Sequence, residues 1–135
     1  MVTEQQIQRE DLPSWWQGSV PEYICYTTLM KVGKLPDRDF TYQSQKGGGR
    51  LEKGGRTLDF QFINPPDLAI NVQGTFYHYE KGTAVSQSDV LTREFMATEG
   101  ITLIFIDEDD LHIKAESVVR DALRYIDRSR LGGRG

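Results

Sequence analysis

A single cysteine, Cys25, stands in 135 residues. One thiol closes no internal disulfide and builds no cysteine-based zinc site, so a disulfide-stapled scaffold and a structural zinc module are both excluded, and a reducing compartment is expected. No apolar run approaches the length that crosses a bilayer. The first residues, MVTEQQIQRED, carry acids and glutamines where an export signal carries basic residues and then an apolar stretch, so a cytoplasmic protein without a membrane partner is expected. Internal repeats are absent. Positive charge is short as well: 16 Lys and Arg face 20 Asp and Glu, a net charge of −4 with a pI near 5.2. That balance opposes the basic excess usual in a phosphate-binding protein.

The deficit is local. Segment 46–56 holds four basic residues, Lys46, Arg50, Lys53 and Arg56, against one acid, and segment 124–135 again holds four against one. Five acids with one lysine crowd into 107–116. Charged residues at 27% and hydrophobic ones at 38% suit a globular chain, and its length suits one domain around one core.

Residues 1–18, with Pro13 and the Trp15-Trp16 pair, show neither helical nor strand period and read as a partly ordered arm. The aromatic pair either covers a core edge or wedges between bases. Ser19-Val20-Pro21-Glu22 matches a helix start, with a capping serine, a proline in the first turn and a glutamate three residues on; Gly33 supplies the stop. Phe40–Gln43 and Leu58–Phe62 alternate as strands, separated by the glycine-rich stretch 47–55 as a mobile hairpin tip. After the turn Asn64-Pro65-Pro66-Asp67, a third strand runs over 68–72 and stops at Gly74. A helix from Thr83 or Ser86 to Glu99 ends at Gly100, and the apolar run 101–106 reads as a buried strand. The last helix is expected over 114–128, with Val118, Val119, Ala122, Leu123 and Ile126 inward, and residues 129–135 as a flexible tail. The domain is thus 19–128, an α/β fold with a mixed central sheet flanked by helices, in which the unit from 68 to 106 forms a parallel crossover.

Asp59 interrupts an apolar strand, where aspartate is disfavoured; it belongs either to an exposed hairpin face or to a site. Asn71 and Gln73 share a face of the next strand, and His78 follows Gly74 closely. Asp89 lies at helical spacing from Val85, Thr92 and Met96, which turns an acid toward a buried side, although an i,i+4 pair with Arg93 also explains it. Glu22 is equally half of a capping box. The glycine-rich stretch lacks the ending of a P-loop and reads instead as a flap touching phosphates. Asp107 to Asp110 read as solvated acids ahead of a helix.

The stretch TLDFQFINPPDLAINVQGTFYHYEKG, with Ser88-Asp89-Val90-Leu91-Thr92-Arg93 and Gly100 downstream, resembles the very-short-patch repair endonucleases and the related phage homing endonucleases of the restriction-endonuclease-like superfamily. The resemblance spans roughly 19–126. It implies a nuclease domain with site positions Glu22, Asp59, Gln73, His78 and Asp89. It further implies a magnesium ion, with manganese as substitute, on Asp59 and the backbone carbonyl of Val72; the basic residues of the flap, Lys46, Arg50, Lys53 and Arg56, are the expected DNA contacts. His78 is the expected general base, oriented by Asp89, with Glu22 orienting a water. The superfamily's second acid and lysine on the third strand are replaced by Asn71 and Gln73, and the repair enzymes' zinc cysteines are missing, so the homing-type relatives are the nearer comparison. A phage or prokaryotic source follows from the resemblance, and a homodimer is left open. The alternative from another class is an inactive DNA-binding or assembly protein that keeps the nuclease fold.

Overall fold

The computed structural model describes residues 7–42, 51–53, 56–74 and 83–131. Helix α1 spans Val20–Lys31, strand β1 Phe40–Tyr42, β2 Leu51–Lys53, β3 Arg56–Leu58, β4 Phe60–Phe62 and β5 Leu68–Gln73. Helix α2 follows over Thr83–Thr98, then β6 over Thr102–Asp107 and α3 over Glu108–Leu123. Four strands form one mixed sheet in the order β1-β4-β5-β6, and β2 and β3 pair as a separate two-stranded ladder. The protein is therefore α/β, with the β1–β4 and β4–β5 pairs antiparallel and β5–β6 parallel. No helix among the described residues is long and apolar enough to cross a membrane.

Local chemistry explains the frame. Ser19 and Glu22 complete the capping box that starts α1, each side chain bonded to the other residue's backbone N–H. Gly100, at φ +80°, adopts the left-handed conformation that stops α2 and turns the chain into β6. The parallel β5–β6 pair runs in register from Leu68↔Thr102 to Gln73↔Asp107, so both strands end side by side. On one face, Phe40, Phe60, Phe62, Leu68, Ile70, Ile104 and Ile106 pack against Cys25 and Leu29 of α1 and Val118, Val119 and Ala122 of α3. On the other, Leu58, Ala69, Leu103 and Phe105 pack against Met96 of α2. Helices thus cover both faces.

The arm belongs to this core through Trp16, which stacks on Tyr42 at 4.6 Å and bonds Ser19 O through its indole nitrogen at 3.1 Å. Trp15 remains exposed.

Four expectations need correction. The strand expected over 58–62 is broken at Asp59 into β3 and β4. The stretch expected as a glycine-rich tip contains β2, paired with β3 from Leu51↔Leu58 to Lys53↔Arg56. Helix α3 begins six residues before the expected start, because Glu108, Asp109 and Asp110 fill its first turn, where acids favour the positive helix end, and it kinks at Lys114, where the last helix is expected to begin. It also ends at Leu123, and Ile126 is exposed. The tail expected to be loose from 129 is held as far as Leu131. Asp127 accepts the Phe105 N–H at 2.9 Å on the outer edge of β6, and Ser129 is buried. The Arg130 N–H bonds Asp107 at 3.0 Å, and Leu131 packs on the α2 side of the core.

The turn between α1 and β1 is knotted by Asp39. Its carboxylate accepts from Arg38 at 2.6 Å, from Leu35 N–H at 2.8 Å and from Asn64 at 3.4 Å, tying this turn to the one before β5. The Arg38 guanidinium, helped by the Leu35 amide, lowers the Asp39 pKa to about 2. A carboxyl group depressed below its unfolded value of about 3.9 stabilises the fold above that value and loses the contribution as pH falls toward 2. The Asp39→Asn variant should therefore melt below the wild type at neutral pH, with the gap closing between about pH 4 and pH 2. Thermal melts across that window check this; a gap independent of pH contradicts it.

Candidate functional site

Leu58 and Phe60 are two residues apart, so in a continuous strand they would share a face. They do not: Leu58 lies in the α2-side cluster and Phe60 in the α1–α3 side. The chain changes face at Asp59, between two ladders. The β4–β5 register, Phe60↔Ile70 and Gln61↔Ala69, stops one step short of pairing Asp59 with Asn71.

At that step side chains replace the ladder. The Asp59 N–H donates to Asn71 Oδ1 at 2.7 Å, and Asp59 Oδ2 accepts the Val72 N–H at 2.9 Å. Asp59 is 4% exposed, so the exposed-hairpin reading is removed and the carboxylate has one oxygen fixed by a backbone amide. Asn71 and Gln73 continue the α2-facing side set by Ala69. Gln73, 2% exposed, donates through Nε2 to Asp89 Oδ2 on α2 at 2.6 Å. Asp89 is therefore turned inward, as its spacing predicts. Its described partner is Gln73, whereas the expected partner His78 lies outside the described residues. Arg93 does not serve as the surface partner weighed for Asp89: its guanidinium lies over the Phe105 ring, 5.6 Å from the centroid, and bonds Leu131 O.

Glu22 closes the same end of the sheet. Its Oε1 accepts the Ser19 N–H at 3.2 Å and also the Tyr42 hydroxyl, so the capping role is real and the carboxylate points at the sheet. Cys25, one turn along α1, records where the charges sit. Burial first, and then the negative charges of Asp59 and Glu22, push its thiol pKa far up. Both carboxylates thus lie within electrostatic reach of one buried thiol, which stays protonated and inert.

The structure brings Glu22, Asp59, Gln73 and Asp89 to the end of the sheet where β5 stops, the end at which ligands settle in open α/β sheets. His78, Lys46 and Arg50 lie outside the described residues. Lys53 and Arg56 are register partners in the β2–β3 ladder. Asn71, expected on one face with Gln73, also bonds the Asp59 amide, which no local pattern shows. Asp107, taken for a solvated acid, is 3% exposed and stands beside Gln73 in register. Its position at the end of a buried apolar strand was the available signal.

Magnesium keeps several waters and is held through one or two carboxylates, and Asp59 is a buried carboxylate with one oxygen bonded to the Val72 amide. Asp107, Asp109 and Asp110 also bring carboxylate oxygens within 4.8 Å of one another. There, however, Arg130 already supplies the positive charge, bonding Asp107 at 3.3 Å and Asp109 at 2.9 Å.

Compared with protein-family models, with curated proteins and with solved structures, the chain finds no match.

Gly18 is required where the arm meets Glu22. A Cβ at Gly18 would land on the Tyr42 hydroxyl and lie 2.7 Å from Glu22 Oε1. Tyr42 is a buried ring stacked on Trp16 and cannot yield as a flexible side chain could. Gly18→Ala should destabilise by about 1–3 kcal/mol through overpacking. Denaturant unfolding measures it, and an unchanged midpoint contradicts this packing.

Proposed function

We propose that the chain is a metal-dependent DNA endonuclease of the restriction-endonuclease-like fold, nearest in kind to the homing-type enzymes related to very-short-patch repair endonucleases. The observation that carries the reading is the buried Asp59 carboxylate at the break between β3 and β4, anchored by Val72 N–H. A buried acid is costly unless it is bonded or binds a cation, and a second carboxylate, Glu22, reaches the sheet at the Tyr42 hydroxyl. The element order is also the one the resemblance implies. Helix α1 precedes the sheet strands β1, β4 and β5, and β5 is joined to the parallel β6 through α2.

In this reading Asp59 holds magnesium together with the Val72 carbonyl. When bound, such an ion would supply positive charge at the scissile phosphate. Gln73, held by Asp89, gives the phosphate hydrogen bonds without charge. His78 takes a proton from the attacking water, Asp89 keeps the imidazole oriented, and Glu22 orients the water. Lys46, Arg50, Lys53 and Arg56 contact backbone phosphates, positioning DNA without reading sequence. A negatively charged protein can bind DNA in this way because the basic residues are gathered in one segment.

A second reading, an inactive DNA-binding or assembly protein on the same fold, is favoured by one observation. The positions beside Asp59 carry the neutral amides of Asn71 and Gln73, both engaged within the protein.

Supercoiled plasmid separates the two. The wild type should nick it only with magnesium or manganese. Asp59→Asn should abolish nicking with the fold intact, and His78→Ala should lose about two to four orders of magnitude in rate, the usual worth of a positioned base. Wild-type protein that binds DNA but never cleaves it supports the second reading. Nicking at the wild-type rate by Asp59→Asn removes Asp59 from the site.

A further inference from the structure

Where β4 leaves β5, two backbone amides lose the strand partners a continuing ladder would give them. The exchange that satisfies them is reciprocal. Asn71 Oδ1 takes the Asp59 N–H at 2.7 Å while Asp59 Oδ2 takes the Val72 N–H at 2.9 Å. Each residue's side chain is bonded to the main chain of the other strand, closing a ring that includes the Asp59 carboxylate. We infer that Asn71 is a positioning residue for Asp59: it fixes the backbone from which the carboxylate projects, and so sets which oxygen faces the sheet and which faces the end of β5.

The Asn71 oxygen accepts a backbone N–H at short distance, which ties its side chain to the Asp59 main chain. Asn71 is half-buried. Partners of this kind, one bond removed from a ligand, commonly change metal affinity by about 10–100-fold when lost. The inference rests on the nuclease reading for its metal, whereas the ring of hydrogen bonds does not, and the test keeps the two apart.

Amide hydrogen exchange, Mn2+ affinity of the protein alone and plasmid nicking are measured on wild type, Asn71→Ala, Asn71→Asp and Asp59→Asn. Asn71→Ala should speed exchange at the Asp59 and Val72 amides and weaken Mn2+ binding by about tenfold or more. Its melting temperature should fall, since the buried Asp59 amide loses its partner. Asn71→Asp keeps an acceptor for the Asp59 N–H and should restore protection of both amides, which a general packing defect would not. Unchanged exchange at both amides in Asn71→Ala overturns the positioning role. So does unchanged Mn2+ affinity in that variant while Asp59→Asn loses it. If Asp59→Asn binds Mn2+ as the wild type does, the nuclease reading fails with its metal, and the exchange data still decide whether Asn71 holds Asp59.

Discussion

Everything at the sheet end depends on one interruption: the chain cannot run straight through Asp59. Leu58 belongs to the α2-side core and Phe60 to the opposite one, so the backbone must turn over between them. A turn inside a sheet strands amide groups, and a buried unpaired amide costs about as much as a lost hydrogen bond. The side chains of Asp59 and Asn71 meet that demand. An aspartate is thereby held in a buried place, with Glu22 approaching from α1 and the Gln73–Asp89 pair from α2. The break therefore shapes the core and positions an acid at once.

The rest of the architecture supports that corner. The parallel β5–β6 pair is the rigid centre, and α2 is pinned to it by Met96 below and by Gln73 to Asp89 near its start. The segment after α3 closes the outer edge of β6, with Asp127 on the Phe105 amide and Arg130 between Asp107 and Asp109. An edge strand so covered offers less template for pairing with another chain.

Much of this was legible in the sequence, and what was missed has a common cause. Ser19 with Glu22, Gly33, Gly100 and the run 101–106 are local signals whose chemistry acts within a few residues, and each element they predicted is present. The inward turn of Asp89 followed from helical spacing alone. The face change at Asp59 was hidden because Leu58 and Phe60 are both apolar, and a period-two pattern looks the same whether both side chains enter one core or two. The start of α3 was hidden because acids in a first helical turn resemble acids in a preceding loop. The held tail was hidden because Asp127 and Arg130 find partners more than twenty residues away. Local pattern carries no record of such distances. The roles of Asn71 and Asp107 belong to the same class, since a neutral amide and one acid among four show their function only through the strand beside them.

On the proposed nuclease reading, a divalent cation would sit at the Asp59 corner rather than among the acids of α3. Titrating Mn2+ into isotope-labelled protein and following paramagnetic broadening of the backbone amides tests it most directly. The account predicts that broadening starts at Asp59, Val72 and the first turn of α1, and that it is absent there in Asp59→Asn. Broadening that begins at Asp107, Asp109 and Asp110 and leaves the Asp59 amide sharp would contradict it.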